Sequence, residues 1–112
     1  MSRNSSFADE QLTDSSYYIL LALLKPMHGY GIMQYVEELT DKEMLIGPAS
    51  LYTILKKMQE ADFIAPGEED NDRRKTYVIT EKGLEVIKKE IHRRIKMAEH
   101  GKKSLNILGG GI

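Results

Sequence analysis

Few residues in this 112-residue chain could support covalent or acid–base chemistry. There is no Cys, so there is no thiolate nucleophile, no disulfide and no thiolate metal site. No glycine-rich loop follows a strand pattern in the way a phosphate cradle requires, and no two carboxylates stand in a recognisable acid–base frame. Asp14 beside Ser15 reads as a helix cap rather than a catalytic pair. His28 has no second ligand at metal spacing, and His92 and His100 lie eight residues apart, too far for one site. His28 is expected to cap the following helix or bond locally, with a phosphate contact as the alternative. The chain is therefore expected not to be an enzyme and to hold no metal or cofactor.

The remaining chemistry is the recognition of an anion. Residues 47–58 read GPASLYTILKKM. Pro48 suits the first position of a helix, where its missing N–H costs nothing, with Gly47 at the N-cap. At about 100° per residue, Leu51, Ile54, Leu55 and Met58 fall on one apolar stripe. Ala49, Tyr52, Thr53 and Lys56 face outward, with Ser50 and Lys57 at the other edge. This face is small, hydroxylated and basic, and it meets no acid before Glu60. It reads either as solvated helix surface or as a surface built to meet a negative partner.

A second basic run follows. Residues 63–80, FIAPGEEDNDRRKTYVIT, read as a β-hairpin: strand 63–65, a polar loop with Gly67 and Asn71, and strand 75–79. Tyr77 and Ile79 are expected on one face of that strand, Thr76 and Val78 on the other. Arg73, Arg74 and Lys75 on the returning arm are candidates for phosphate contact. Alternatively they balance Glu68, Glu69, Asp70 and Asp72.

These segments need elements to position them. Before them, LTDSSYYILLALLKP predicts a first helix capped near Thr13–Ser15 and ended by Pro26. Its run Tyr17–Leu24 is apolar nearly all round, so the helix should be covered on more than one side, one of them by another chain. Ile32, Val36 and Leu39 predict a second, amphipathic helix over about 31–40 after a turn at Gly29 and Gly31. Beyond the hairpin, Thr80 caps a last helix with Glu81 in its first turn. Leu84, Ile87, Ile91, Ile95 and Ala98 make a long apolar stripe on it, and Gly101 is the expected stop.

Composition sets the outer bounds. The length fits one small domain, and a domain of that size often gains stability by oligomerising. The polar, acid-bearing first residues do not read as a signal peptide, and the longest apolar run is too short to span a membrane. Together with the absence of Cys, this places the chain in the cytoplasm as an expectation. Net charge is −1. However, residues 1–72 carry 5 basic and 13 acidic side chains, whereas residues 73–112 carry 11 and 4. That asymmetry fits either a charged, solvated helix whose Lys and Arg pair with acids of the first part, or a basic surface for an anionic partner.

The order helix, helix, helix, strand, loop, strand, long helix is that of a winged helix-turn-helix. The fold class is therefore mainly α with a small β-hairpin and a long C-terminal helix. In this arrangement the third helix enters the major groove by its first turns, and the basic arm of the wing lies along the phosphates. Tyr52 sits at the edge of the stripe, so it either packs under the wing or reaches a phosphate.

Four stretches carry a family resemblance: ILLALLKPMHGYGI, ASLYTILKKMQEADFI, RRKTYVIT and TEKG. Jointly these resemble the PadR family of winged-helix transcriptional regulators, over about residues 19–83 and with fitting flanks. The HGY stretch adds His28 and Tyr30 to the DNA-binding candidates Ala49, Ser50, Tyr52, Thr53, Lys56, Lys57, Arg73, Arg74 and Lys75. The resemblance implies a homodimeric repressor on palindromic operator DNA, released by a small molecule or another signal. It also implies the short branch of the family, in which a single C-terminal helix packs against the first helix of the partner. The dimerisation candidates are Tyr17, Leu20, Leu21 and Leu24 with Leu84, Ile87, Ile91, Ile95 and Ala98. Some short members bind flat aromatic drugs through a Trp in that helix. This chain has no Trp, so that ligand is not carried over. The expected organisation is a flexible 1–10, a DNA-binding domain 11–80, a dimerisation helix 81–101 and a frayed tail 102–112. The alternative function is a winged-helix protein-interaction module without sequence-specific DNA binding.

Overall fold

A computed structural model describes residues 11–67 and 75–109. Helix α1, Asp14–Ala22, begins where the Thr13 hydroxyl accepts the Ser16 N–H (3.1 Å). This leaves one fewer orphan donor at the N-terminus. Past Pro26, Met27–His28 forms a two-residue strand, β1. Helix α2, Gly29–Leu39, follows at once, because His28 serves as its N-cap through Nδ1, which accepts the Gly31 N–H (3.3 Å). That cap starts the helix two residues earlier than the apolar spacing alone predicts.

The connector to the next helix is ordered by its own hydrogen bonds. Asp41 takes a left-handed φ of 56°, and the Lys42 N–H donates back to the Glu37 carbonyl (2.8 Å), closing a Schellman-type end on α2. The Thr40 hydroxyl donates to the Val36 carbonyl (2.8 Å) and accepts the Met44 N–H (3.0 Å). Helix α3, Pro48–Glu60, has Gly47 as its N-cap and ends in the same manner. Asp62 has φ 66°, and the Phe63 N–H reaches the Met58 carbonyl (2.9 Å).

Strands β2 (Ile64–Pro66) and β3 (Thr76–Ile79) pair antiparallel, Ile64 opposite Ile79 and Pro66 opposite Tyr77. β1 pairs on the other side of β3, giving the order β1-β3-β2. β3 is therefore central, and it does not show the expected alternation. Thr76 and Tyr77 are both buried, because Thr76 is covered where Gly67 has no side chain. The Ile79 N–H also donates to the Leu23 carbonyl (2.8 Å), tying the sheet to the end of α1.

Helix α4 runs Glu81–Ile107, past the expected stop at Gly101. A glycine in an exposed helix interior costs only about 1 kcal/mol, and Lys102–Ile107 holds no helix breaker. The left-handed stop is instead Gly109, at φ 84°. So the segment expected to fray from residue 102 is helical through Ile107.

One core joins the elements. Ile19, Leu20 and Leu23 meet Ile32 and Val36 of α2, Leu51, Leu55 and Met58 of α3, Phe63, and Ile87 of α4. Leu20 and Ile87, expected at a contact between chains, are only 0% and 1% exposed. The all-round apolar run of α1 does not reveal which side its own chain takes. Here that side includes Leu20, and Ile87 is the α4 residue that closes it.

Candidate nucleic-acid interface

The third helix is anchored through the expected stripe. Leu51, Leu55 and Met58 are fully buried and Ile54 is half-buried. This leaves Ala49, Ser50, Thr53, Lys56 and Lys57 exposed, with no acid in the first turn. Between the first turns lies a shallow, open depression of about 290 Å³, lined by Ala49, Ser50, Thr53 and Ile54.

Tyr52 packs across to α2. Its ring lies over the first residue of α2, where a β-carbon on Gly29 would overlap the Tyr52 hydroxyl and stand 2.9 Å from the carbon bearing it. The absent side chain at Gly29 thus lets α3 seat against the start of α2. About half of Tyr52 remains exposed. Flanking Gly29 in the chain are His28, which caps α2, and Tyr30, 63% exposed. His28 keeps the structural role through Nδ1, leaving Nε2 for any other contact. Lys75 is exposed at the start of β3. Arg73 and Arg74 lie outside the described residues.

The wing and α4 are fixed by one clamp. The Thr80 hydroxyl accepts the Gly83 N–H (3.0 Å) and donates to the Asp62 carbonyl (2.6 Å), and the Thr80 N–H donates to the Phe63 carbonyl (2.9 Å). One residue thus starts α4 and holds it on the end of α3. This is the physical content of the TEKG stretch.

Sequence reasoning missed a network across α1 and α4. Glu90 is buried and accepts from Arg93 Nε (3.2 Å) and Arg94 Nε (2.7 Å). Arg94 also donates to Asp14 Oδ1 (2.9 Å) and to the Leu12 carbonyl (3.0 Å), and its guanidinium lies 4.3 Å from the centre of the Tyr17 ring. Burial pushes the Glu90 carboxyl up, but the hydrogen bonds and charges of the two arginines outweigh it and hold the group below its ordinary value. For Arg94, burial opposes the charge, and Glu90 and Asp14 more than restore it. The spacing of Glu90 to Arg93 and Arg94 was a readable signal. The 80-residue separation of Asp14 and Arg94 was not.

Among the described residues no three His, Cys, Asp or Glu side chains gather as a metal site. No helix among them is long and apolar enough to cross a membrane.

Among the described residues, four helices with a three-stranded antiparallel sheet, its paired strands β2 and β3 following the third helix, define a winged helix. Residues 19–89 match the transcriptional regulator PadR-like family. The chain belongs to that family of transcriptional regulators. It is similar to a transcriptional regulator from Clostridium thermocellum, with 25% identity, TM-score 0.61, and 81% of this chain and 88% of the other covered. It is also similar in fold to Bacillus subtilis PadR, whose crystal structure is in complex with operator DNA. That match has 24% identity and TM-score 0.61, covering 70% of this chain and 46% of the other. An uncharacterized 37.1 kDa protein in transposon TN4556 of Streptomyces fradiae is 29% identical over 86 residues. The matched region is 76% of this chain but only 24% of the length of that relative.

Proposed function

We propose that this protein is a sequence-specific DNA-binding transcriptional repressor. It acts as a homodimer on palindromic operator DNA and is released by a small molecule or another signal. α3 enters the major groove, and Lys75 with Arg73 and Arg74 lies along the phosphates. The observation that carries this reading is the face of α3. It is anchored by buried Leu51, Leu55 and Met58, presents small, hydroxylated and basic side chains over residues 49–57, and is free of acid in its first turn. The Bacillus subtilis relative crystallised with operator DNA supports the same reading by analogy of fold.

A homodimer is supported by what α1 and α4 leave uncovered. Leu24, just past α1, and Ile95, Met97 and Leu105 of α4 are each about half exposed, a costly arrangement for an isolated chain. Tyr17, Leu21, Leu84 and Ile91 are partly covered beside them, and Ala98 is exposed. Leu20 and Ile87 drop out of the interface because their own chain encloses them.

The test is a gel shift with DNA from upstream of the protein's own gene, at two salt concentrations. Specific binding should weaken with a log–log slope of about −0.9 per neutralised phosphate. Absence of any specific shift at either salt would overturn the repressor reading.

A further inference from the structure

We propose that the first two turns of α3 read thymine through its C5-methyl group, with Ala49 and the methyl of Thr53 as the docking pair. This rests on the reading of α3 as the recognition helix and names what it recognises.

The side-chain inventory leads there. From Pro48 to Thr53 the helix holds Pro, Ala, Ser, Leu, Tyr and Thr. Leu51 is buried and Tyr52, though half exposed, has its hydroxyl end set against Gly29, so Ala49, Ser50 and Thr53 are the fully outward side chains of these turns. Guanine is read by bidentate Arg or Lys, adenine by bidentate Asn or Gln, and cytosine by Asp or Glu. None of those six types occurs in these turns. Lys56 is the first residue able to make such a contact, and it stands about 12 Å further along the axis from Pro48. Ser50 and Thr53 hydroxyls bond to several bases and discriminate weakly. What remains is apolar contact, for which the thymine methyl is the only major-groove partner.

Geometry agrees with this. The depression between Ala49, Ser50, Thr53 and Ile54 is shallow, with no charged group in its lining and a half-buried Ile54 at its edge. Ala49 and Thr53 are four residues apart on one face, so their β-carbons stand about 6 Å from each other. That distance spans one to two base steps of about 3.4 Å. The operator half-site is therefore expected to carry thymines on adjacent steps, or one step apart, where the first turns of α3 dock.

The experiment is to select duplexes from a random pool with the full chain under excess non-specific competitor. Each thymine of the selected site is then replaced by deoxyuridine, which pairs identically and lacks only the methyl. At one or two neighbouring positions per half-site the replacement should weaken binding about fourfold. Thr53→Ser, which keeps the hydroxyl and loses the methyl, should reproduce one of these losses and no longer respond to deoxyuridine there. Thr53→Val, which keeps the methyl and loses the hydroxyl, should still lose affinity when deoxyuridine replaces that thymine. Specific binding that tolerates deoxyuridine at every position would overturn the inference while leaving the DNA-binding reading intact. So would a loss seen with Thr53→Val and not with Thr53→Ser. A pool from which no sequence is enriched would overturn both.

Discussion

At the residue scale, several side chains have two readings from sequence, and one contact shows what each does within its own chain. His28 could cap or could bind; the 3.3 Å bond from Gly31 gives its Nδ1 to the cap of α2 and does not involve Nε2. Tyr52 sits at the edge of its stripe, and only the glycine across from it shows where the ring rests. No periodicity contains that information, because Gly29 and Tyr52 belong to different helices. Glu90 is a similar case, a buried acid on a helix face that otherwise reads as solvated. Its carboxyl is held below the ordinary value, so its charge is worth most above the unfolded-state value of about 4.3. That contribution is complete above the ordinary carboxylate range and is lost as pH falls through the lower folded value. Urea unfolding of the chain should therefore show stability falling below about pH 4.5, and Glu90→Gln should flatten part of that fall. At neutral pH Glu90→Gln should cost about 1–3 kcal/mol. An unchanged midpoint and pH profile would mean that the α1–α4 network contributes nothing.

At the scale of elements, the three helices, the hairpin and the long last helix were readable because each has a strong local signature. The stripe of Leu51, Leu55 and Met58, Pro48 at the helix start, and Thr80 before Glu81 are such signatures. The missing strand, β1, has only two residues and no pattern; it exists because β3 offers an edge for Met27 and His28 to pair with. The end of α4 was misplaced because a glycine stop is only a preference, and Gly101 meets no neighbour that would enforce it. Gly83 shows the opposite case. A β-carbon there would collide with the Phe63 carbonyl oxygen and stand 2.8 Å from Ile79 Cγ1, so α4 is seated directly on the backbone before β2. Gly83→Ala gains about 1 kcal/mol of helix propensity but must push α4 off the sheet. The expected net result is a loss of about 1–3 kcal/mol in urea unfolding. A neutral or stabilising substitution would show that this close approach is not a constraint.

For the whole molecule, the proposed site needs two faces at once: α3 toward DNA and the α1–α4 face toward a second copy. The charge asymmetry read from sequence does not map simply onto one of them. Two of the basic residues of the second part, Arg93 and Arg94, are spent on Glu90, and Arg94 also on Asp14. The basic residues that the DNA reading uses are Lys56 and Lys57 of the first part with Arg73, Arg74 and Lys75 of the second. Dimerisation is tested separately. Ile95 is 52% exposed and outside the chain's own core, so Ile95→Glu should leave each chain folded. It would place an unpaired charge in the proposed interface and weaken self-association by about tenfold or more in sedimentation. An unchanged dimer would remove that part of α4 from the contact.

The central claim is that the outward face of α3 meets DNA. Backbone amide NMR of the full chain, titrated with a selected operator duplex, addresses it directly. Shifts should concentrate on residues 47–57, with a second group at Lys75 and Thr76. The acidic end of α2 around Glu37 and Glu38 should stay still. Specific binding that leaves residues 47–57 unperturbed would contradict the claim.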